Sequence, residues 1–220
     1  MQEAPEEQYE QTRSPLELYD YWKMSVESLN TEEFLMRQDQ LKRKYLEELP
    51  AITAIGLHWN RPGLEVAIKP HAGSKPYDAE ISIEGWINLN SKIEVVSTVD
   101  YFEQLQRESI FNTGRAGGVA STHRRKGKGS KDILHEVVTR SDGEIIEEIL
   151  NKVICRIKQK ERKNYSGKYM LGVLFEHYKS LHLSDLKELS EKLQGRLEFG
   201  VSKFSEIYII NYYDLSLIKL

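Results

Sequence analysis

An α/β sandwich with a mixed central β-sheet is the expected architecture of this chain. Three short runs in its first half alternate apolar and polar residues. One long segment carries apolar residues at helical spacing, and two further apolar runs toward the C-terminus flank another helical stretch. A length of 220 residues suits one domain with additions, and a hydrophobic fraction of 40% suits a sizeable core.

Residues 1–13 show no periodicity and read as a disordered tail ahead of a single α/β domain, 14–220, with its core over 31–176. Ser14-Pro15-Leu16-Glu17 predicts a helix start, with Ser as N-cap, Pro in the first turn and Glu closing a capping box. Thr31 is read as the cap of a second helix, along which Leu35, Leu41, Tyr45 and Leu49 recur until Pro50. Residues 64–69, 78–83 and 93–98 alternate with period two, and the loops between them are rich in Pro, Gly, Ser and Asn, which predicts an antiparallel meander. Residues 100–111 read as a short helix and 112–132 as a flexible basic loop. Ser141 and Glu144 form a capping box for the clearest helix, striped by Ile145, Ile149, Leu150, Val153 and Ile157. A buried-looking strand at 169–175 precedes a C-terminal helix and strand extension over 184–220. Its last residues are apolar and either pack on the body or, if exposed, form a homodimer contact.

The net charge of −3 hides an asymmetry. Arg115, Arg124, Arg125, Lys126, Lys128 and Lys131 fall in one segment without an acid, leaving the rest of the chain strongly acidic. Those six cations are candidate nucleic-acid contacts, DNA ahead of RNA, through sequence-independent attraction to phosphate. The mixed charges of residues 144–163 read as a solvated helix face. No apolar run reaches the roughly 18 residues of a membrane span, so no membrane partner is expected. The polar, acidic residues 1–10 and the lone Cys155, read as a partly buried thiol, suggest a cytoplasmic protein without a disulfide or cysteine-based zinc site. The six histidines lack metalloprotease spacing, and residues 114–118 lack the Gly-Lys-Ser/Thr ending of a phosphate loop.

The carboxylates carry the functional reading. Parity places Lys92, Glu94 and Val96 on one face of their strand and Ile93 and Val95 on the other. Asp78 heads the neighbouring strand, so pairing of the two would let Asp78 and Glu94 meet at one end of the sheet. Two such acids repel unless a cation lies between them, and a hard ion such as Mg²⁺ (or Mn²⁺) suits oxygen ligands and phosphate substrates.

Pro76-Tyr77-Asp78 followed by Glu94-Val95-Val96 resembles the PD-(D/E)xK nuclease superfamily, whose restriction-endonuclease-like fold places an acid at the start of the second strand and a (D/E)xK tripeptide on the third. The resemblance implies a metal-dependent nucleic-acid phosphodiesterase, or a degenerate descendant, with Asp78 and Glu94 as metal ligands. Val96 stands where the family has lysine, and Lys92 or Lys69 is the available substitute. The family's additional helical acid corresponds to Glu33 or Glu47, and its helical glutamine to Gln104. The alternatives are a non-catalytic module of the same fold that binds nucleic acid or protein, and an immunity-type interaction protein.

Overall fold

A mixed sheet of six strands organises the chain in the computed structural model, which describes residues 5–73, 75–99, 101–113, 120–124, 133–137, 141–165, 167–176, 183–197 and 202–220. The helices of the N-terminal part are α1 (Pro5–Tyr9), α2 (Pro15–Glu27), α3 (Thr31–Met36), α4 (Gln40–Glu47) and α5 (Leu49–Trp59). The meander follows as β1 (Leu64–Pro70), β2 (Ala79–Gly85) and β3 (Leu89–Ser97), then α6 (Tyr101–Thr113), β4 (Ala120–Arg124) and β5 (Ile133–Val137). The C-terminal part holds α7 (Asp142–Glu161), β6 (Tyr169–Phe175), α8 (Leu183–Arg196), β7 (Glu206–Asn211) and β8 (Leu217–Lys219).

The sheet runs β1-β2-β3-β6-β7-β8, while β4 and β5 pair separately as an antiparallel ribbon. β1, β2 and β3 are antiparallel, β3, β6 and β7 parallel, and β8 returns antiparallel on β7. Each parallel step needs a crossover long enough for a helix. The chain from β3 to β6 supplies α7, and the chain from β6 to β7 supplies α8. Both pack on one face, with Ile149, Leu150, Val153, Leu189 and Leu193 against Leu171, Val173 and Ile209. On the other face α5 lies against Ile68, Ile81, Ile93 and Val95, backed by Leu18 of α2 and Leu46 of α4. β6, covered on both sides, is buried along its whole length.

The structure departs from the sequence reading in four places. Residues 5–13 are docked: Tyr9 is fully buried, and Arg13 exchanges both backbone hydrogen bonds with Ile68 at 2.8 Å, covering the edge of β1. The expected helix from 31 to 50 is broken by Arg37, which adopts a left-handed conformation (φ 49°) and separates α3 from α4. α5 went unread because Pro50 looked like a stop. It sits instead in the first helical turn, where a missing N–H costs nothing. Helix α5 is apolar on nearly every side, being sandwiched between the sheet and α2, so it shows no one-sided stripe. Finally, part of the presumed loop 112–132 forms β4.

At the C-terminus Leu217 joins the α5-side core, while Ile218 and Leu220 join the α7-side core, so these residues pack on the body. Among the described residues no helix is long and apolar enough to cross a membrane.

If residues 5–13 are structural, Tyr9→Ala should lower the unfolding free energy in urea by about 3–5 kcal/mol, the cost of emptying a buried aromatic site. An unchanged midpoint would restore the picture of a loose tail.

Candidate active site

The site begins where β2 stops and β3 does not. Ala79 pairs with Ile93, so β3 runs on to Ser97 without a β2 partner. The amides of Lys92 and Thr98 point to β6, where they donate to Lys168 and Leu174. By alternation the Val95 N–H points to the vacated side. A buried amide there needs an acceptor, and the Asp78 side chain supplies it: Oδ2 accepts from Val95 N at 2.7 Å. Asp78 is fixed further by its own N–H to Ile93 O (2.8 Å) and by its carbonyl, which accepts from His71 N (2.9 Å).

Glu94, the residue before Val95, faces α7 and is only 4% exposed. A carboxylate so deep requires a cation. Lys160 of α7 contacts Glu94 Oε1, and Lys163 lies 3.5 Å from the same oxygen. A third acid, Glu48, sits at the junction of α4 and α5 and meets Lys44 Nζ at 2.6 Å.

The electrostatics tie Asp78 to both other acids. Burial and then Glu48 push the Asp78 carboxyl up to about 7. Glu94 adds to the rise, while the Val95 N–H and Lys44 oppose it. Burial also raises Glu48 despite Lys44. The Tyr9 phenol is held well above its ordinary value by burial, by Glu48 and by Asp78, and its buried hydroxyl has no hydrogen-bond partner. Burial and then Glu94 raise the Tyr165 phenol as well.

Asp78 and Glu48 border a cavity of about 640 Å³, with Glu47 beside them and Lys160, the partner of Glu94, on its wall. Arg37 and Arg43 line it on the α3–α4 side, Gln104 and Arg107 on α6, and Arg156 and Lys160 on α7. Glu176, just past β6, orients two of the arginines: Arg37 reaches its two oxygens at 2.8 and 3.2 Å, and Arg107 contacts the second. The wall is therefore cationic above a floor of carboxylates, a charge arrangement that suits a phosphate-bearing ligand.

The structure thus brings Asp78 and Glu94 to one end of the sheet. It does not bring Lys92 or Lys69 to them. The Lys92 amine lies over the Tyr77 and Tyr169 rings, 4.8 and 5.4 Å from their centroids. Lys69 is opposite Glu80 on the meander. The amine at Glu94 is that of Lys160, from a helix face expected to be solvated. Glu33 closes the cap of α3 and pairs with Lys42, whereas Glu47 and Gln104 do line the cavity. Arg115, Arg125, Lys126, Lys128 and Lys131 lie outside the described residues; Arg124 ends β4 and its side chain is outside them too. Cys155 is exposed, not partly buried: it lies about 200° around α7 from Val153. Glu48 was missed, although an acid directly before Leu-Pro at a helix start was a legible sign of a carboxylate at a helix N-terminus. Lys160 and the Arg37–Glu176–Arg107 group carry no local signal, because they meet only across the fold.

Among the described residues no three Asp, Glu, His or Cys side chains converge as a metal-holding group. The donors fit a different kind of site. Asp78, Glu94 and Glu48 are oxygen donors, and the buried Tyr9 hydroxyl, in the field of Glu48 and Asp78, has no hydrogen-bond partner. Magnesium is held in this way by one or two carboxylates, with waters and substrate phosphates completing its shell. Comparisons of the chain with protein-family models, curated proteins and solved structures give no match.

The raised Asp78 value sets a pH dependence. Between its ordinary value of 3.8 and about 7, the folded chain holds a proton that the unfolded chain has released. This contribution to stability is full below about pH 4 and is lost as pH rises through about 7. Glu48 acts in the same sense. Urea titrations should show the unfolding free energy falling over that range, and Asp78→Asn should flatten the fall. A wild-type profile without it would contradict this charge assignment.

Proposed function

We propose that this chain is a metal-dependent nucleic-acid phosphodiesterase acting from the cavity at the end of β2, within a restriction-endonuclease-like core formed by α5, β1 to β3, the helices after β3, and β6. One observation carries the reading: Asp78, at the head of β2, lies in the field of both Glu48 and Glu94, and Glu94 holds the Lys160 amine. Structural acids seldom gather in this way, since each raises the cost of ionising the next.

In this reading Asp78 and Glu94, with Glu48 behind them, hold Mg²⁺ or Mn²⁺. The bound ion would lower the pKa of a water and offset charge on the scissile phosphate. Lys160 takes the place left by Val96: its ammonium pairs with Glu94 and can donate to a phosphate oxygen or to the attacking water. Arg37 and Arg107 both line the cavity, held on Glu176, so they can orient a phosphodiester with little loss of side-chain freedom. The cations between Arg115 and Lys131 would add contacts to the nucleic-acid backbone, and a cytoplasmic setting belongs to the same proposal.

One observation favours a second reading, a module that binds nucleic acid without cutting it. Asp78, Glu48 and Glu94 each already have a donor from the protein itself. Binding without cleavage would select that reading.

Plasmid and single-stranded DNA should be cut in Mg²⁺ or Mn²⁺ and not in chelator. Asp78→Asn and Glu94→Gln should each reduce the rate at least about 100-fold, as loss of a group acting directly on the reaction does. Lys160→Met should reduce it with little change in binding. Cleavage persisting in Glu94→Gln would overturn the proposal.

A further inference from the structure

The helices leave one part of the sheet bare. On the α7 side the layer covers β3, β6 and β7, but the same face of β1 and β2 carries Glu65, Ala67, Lys69, Glu80, Ser82 and Glu84, all half-buried or exposed. Register sets these side chains in rows across the three strands. Ala67, Ser82 and Asn90 stand opposite one another as a low, polar row, and Lys69, Glu80 and Lys92 form the next row. The result is a trough of about 410 Å³, bounded by Thr12 of the docked N-terminal arm and by Lys168 at the start of β6.

Its charge is unbalanced. Glu80, the only acid bordering the trough among the described residues, accepts from the Tyr77 hydroxyl at 2.5 Å and lies within 3.7 Å of Lys75 and 3.6 Å of His71. Among the described residues no carboxylate is ion-paired with Lys69, Lys92 or Lys168. Lys92 is steadied by aromatic rings instead, which hold an ammonium in place without cancelling its charge. Three cations from three separate segments therefore converge on a floor of small hydroxyl and amide side chains.

We infer that this trough binds an unpaired stretch of nucleic-acid strand and leads it into the cavity. The inference rests on the phosphodiesterase reading and specifies its substrate as single-stranded or frayed. Lys92 and Glu94 share a face of β3, two residues and about 7 Å apart, so the trough and Glu94 lie along one line. Two strand spacings, about 10 Å, give the trough the width of one sugar-phosphate chain. The three lysines offer contacts to phosphates without reading base edges, and Ser82 and Asn90 add neutral donors. Binding is therefore tolerant of sequence and sensitive to salt.

The test measures binding separately from cutting. Fluorescence anisotropy in chelator, which prevents cleavage, compares a labelled 20-nucleotide DNA single strand, its blunt duplex and inorganic polyphosphate. The variants are Lys69→Glu with Lys168→Glu, both at exposed positions, and a control pair of equal charge change at exposed Lys23 and Lys187. The trough pair should weaken single-strand binding on the order of tenfold and reduce the slope of log affinity against log salt by about 1.4. The control pair should change neither. Unchanged binding in the trough pair, preference for the duplex, or equal loss in the control pair overturns the trough. Preference for polyphosphate assigns the site to a free anion and overturns the strand. None of these outcomes bears on the catalytic reading, which stands or falls on Glu94→Gln.

Discussion

The Asp78 carboxylate stands in for a backbone carbonyl. Where β2 ends, the Val95 N–H faces an empty position in the ladder, and Asp78 Oδ2 fills it at 2.7 Å. That bond explains why an acid can sit at the head of a strand beside an apolar core. It also fixes the carboxylate within the field of Glu48 and Glu94, so the geometry of the site follows from a vacancy in the sheet.

The arrangement is costly at neutral pH. A group pushed up to about 7 by burial and like charge gives less stability as it ionises. The protein offsets part of this with cations, placing Lys44 on Glu48, Lys160 on Glu94, and Arg37 with Arg107 on Glu176. Well-packed apolar residues in place of a whole acid–cation pair would often fold as cheaply, whereas removing the acid alone would strand its cation or, at Asp78, the Val95 N–H. Retaining an acid in the field of two others is the pattern expected where charge serves a ligand or a reaction.

The two faces of the meander have different roles. The face toward α5 is continuous core, with Val66, Ile68, Ala79, Ile81 and Ile93 all buried. The opposite face is roofed by α7 and α8 only from β3 onward. Glu94 lies under the roof while Lys69, Ser82 and Asn90 lie outside it. A single sheet thereby presents a covered, charged cavity and an open, cationic trough side by side, linked by the alternation of β3.

Much of this was legible in the residues. Period-two alternation marked all three meander strands, the capping boxes at Ser14 and Ser141 marked two helices, and the parity of β3 separated Glu94 from Ile93 and Val95. Such features depend on neighbours within a few positions, where geometry follows directly from spacing. The docking of Tyr9, the left-handed break at Arg37 and the amine at Glu94 were not legible. Each depends on residues distant in sequence: Lys160 lies 66 positions from Glu94, and Arg37 lies 139 from Glu176. Local order came from the sequence alone because backbone periodicity is a local property. Which charge meets which acid was decided by tertiary structure, because burial and the field around a carboxylate exist only once the layers have closed.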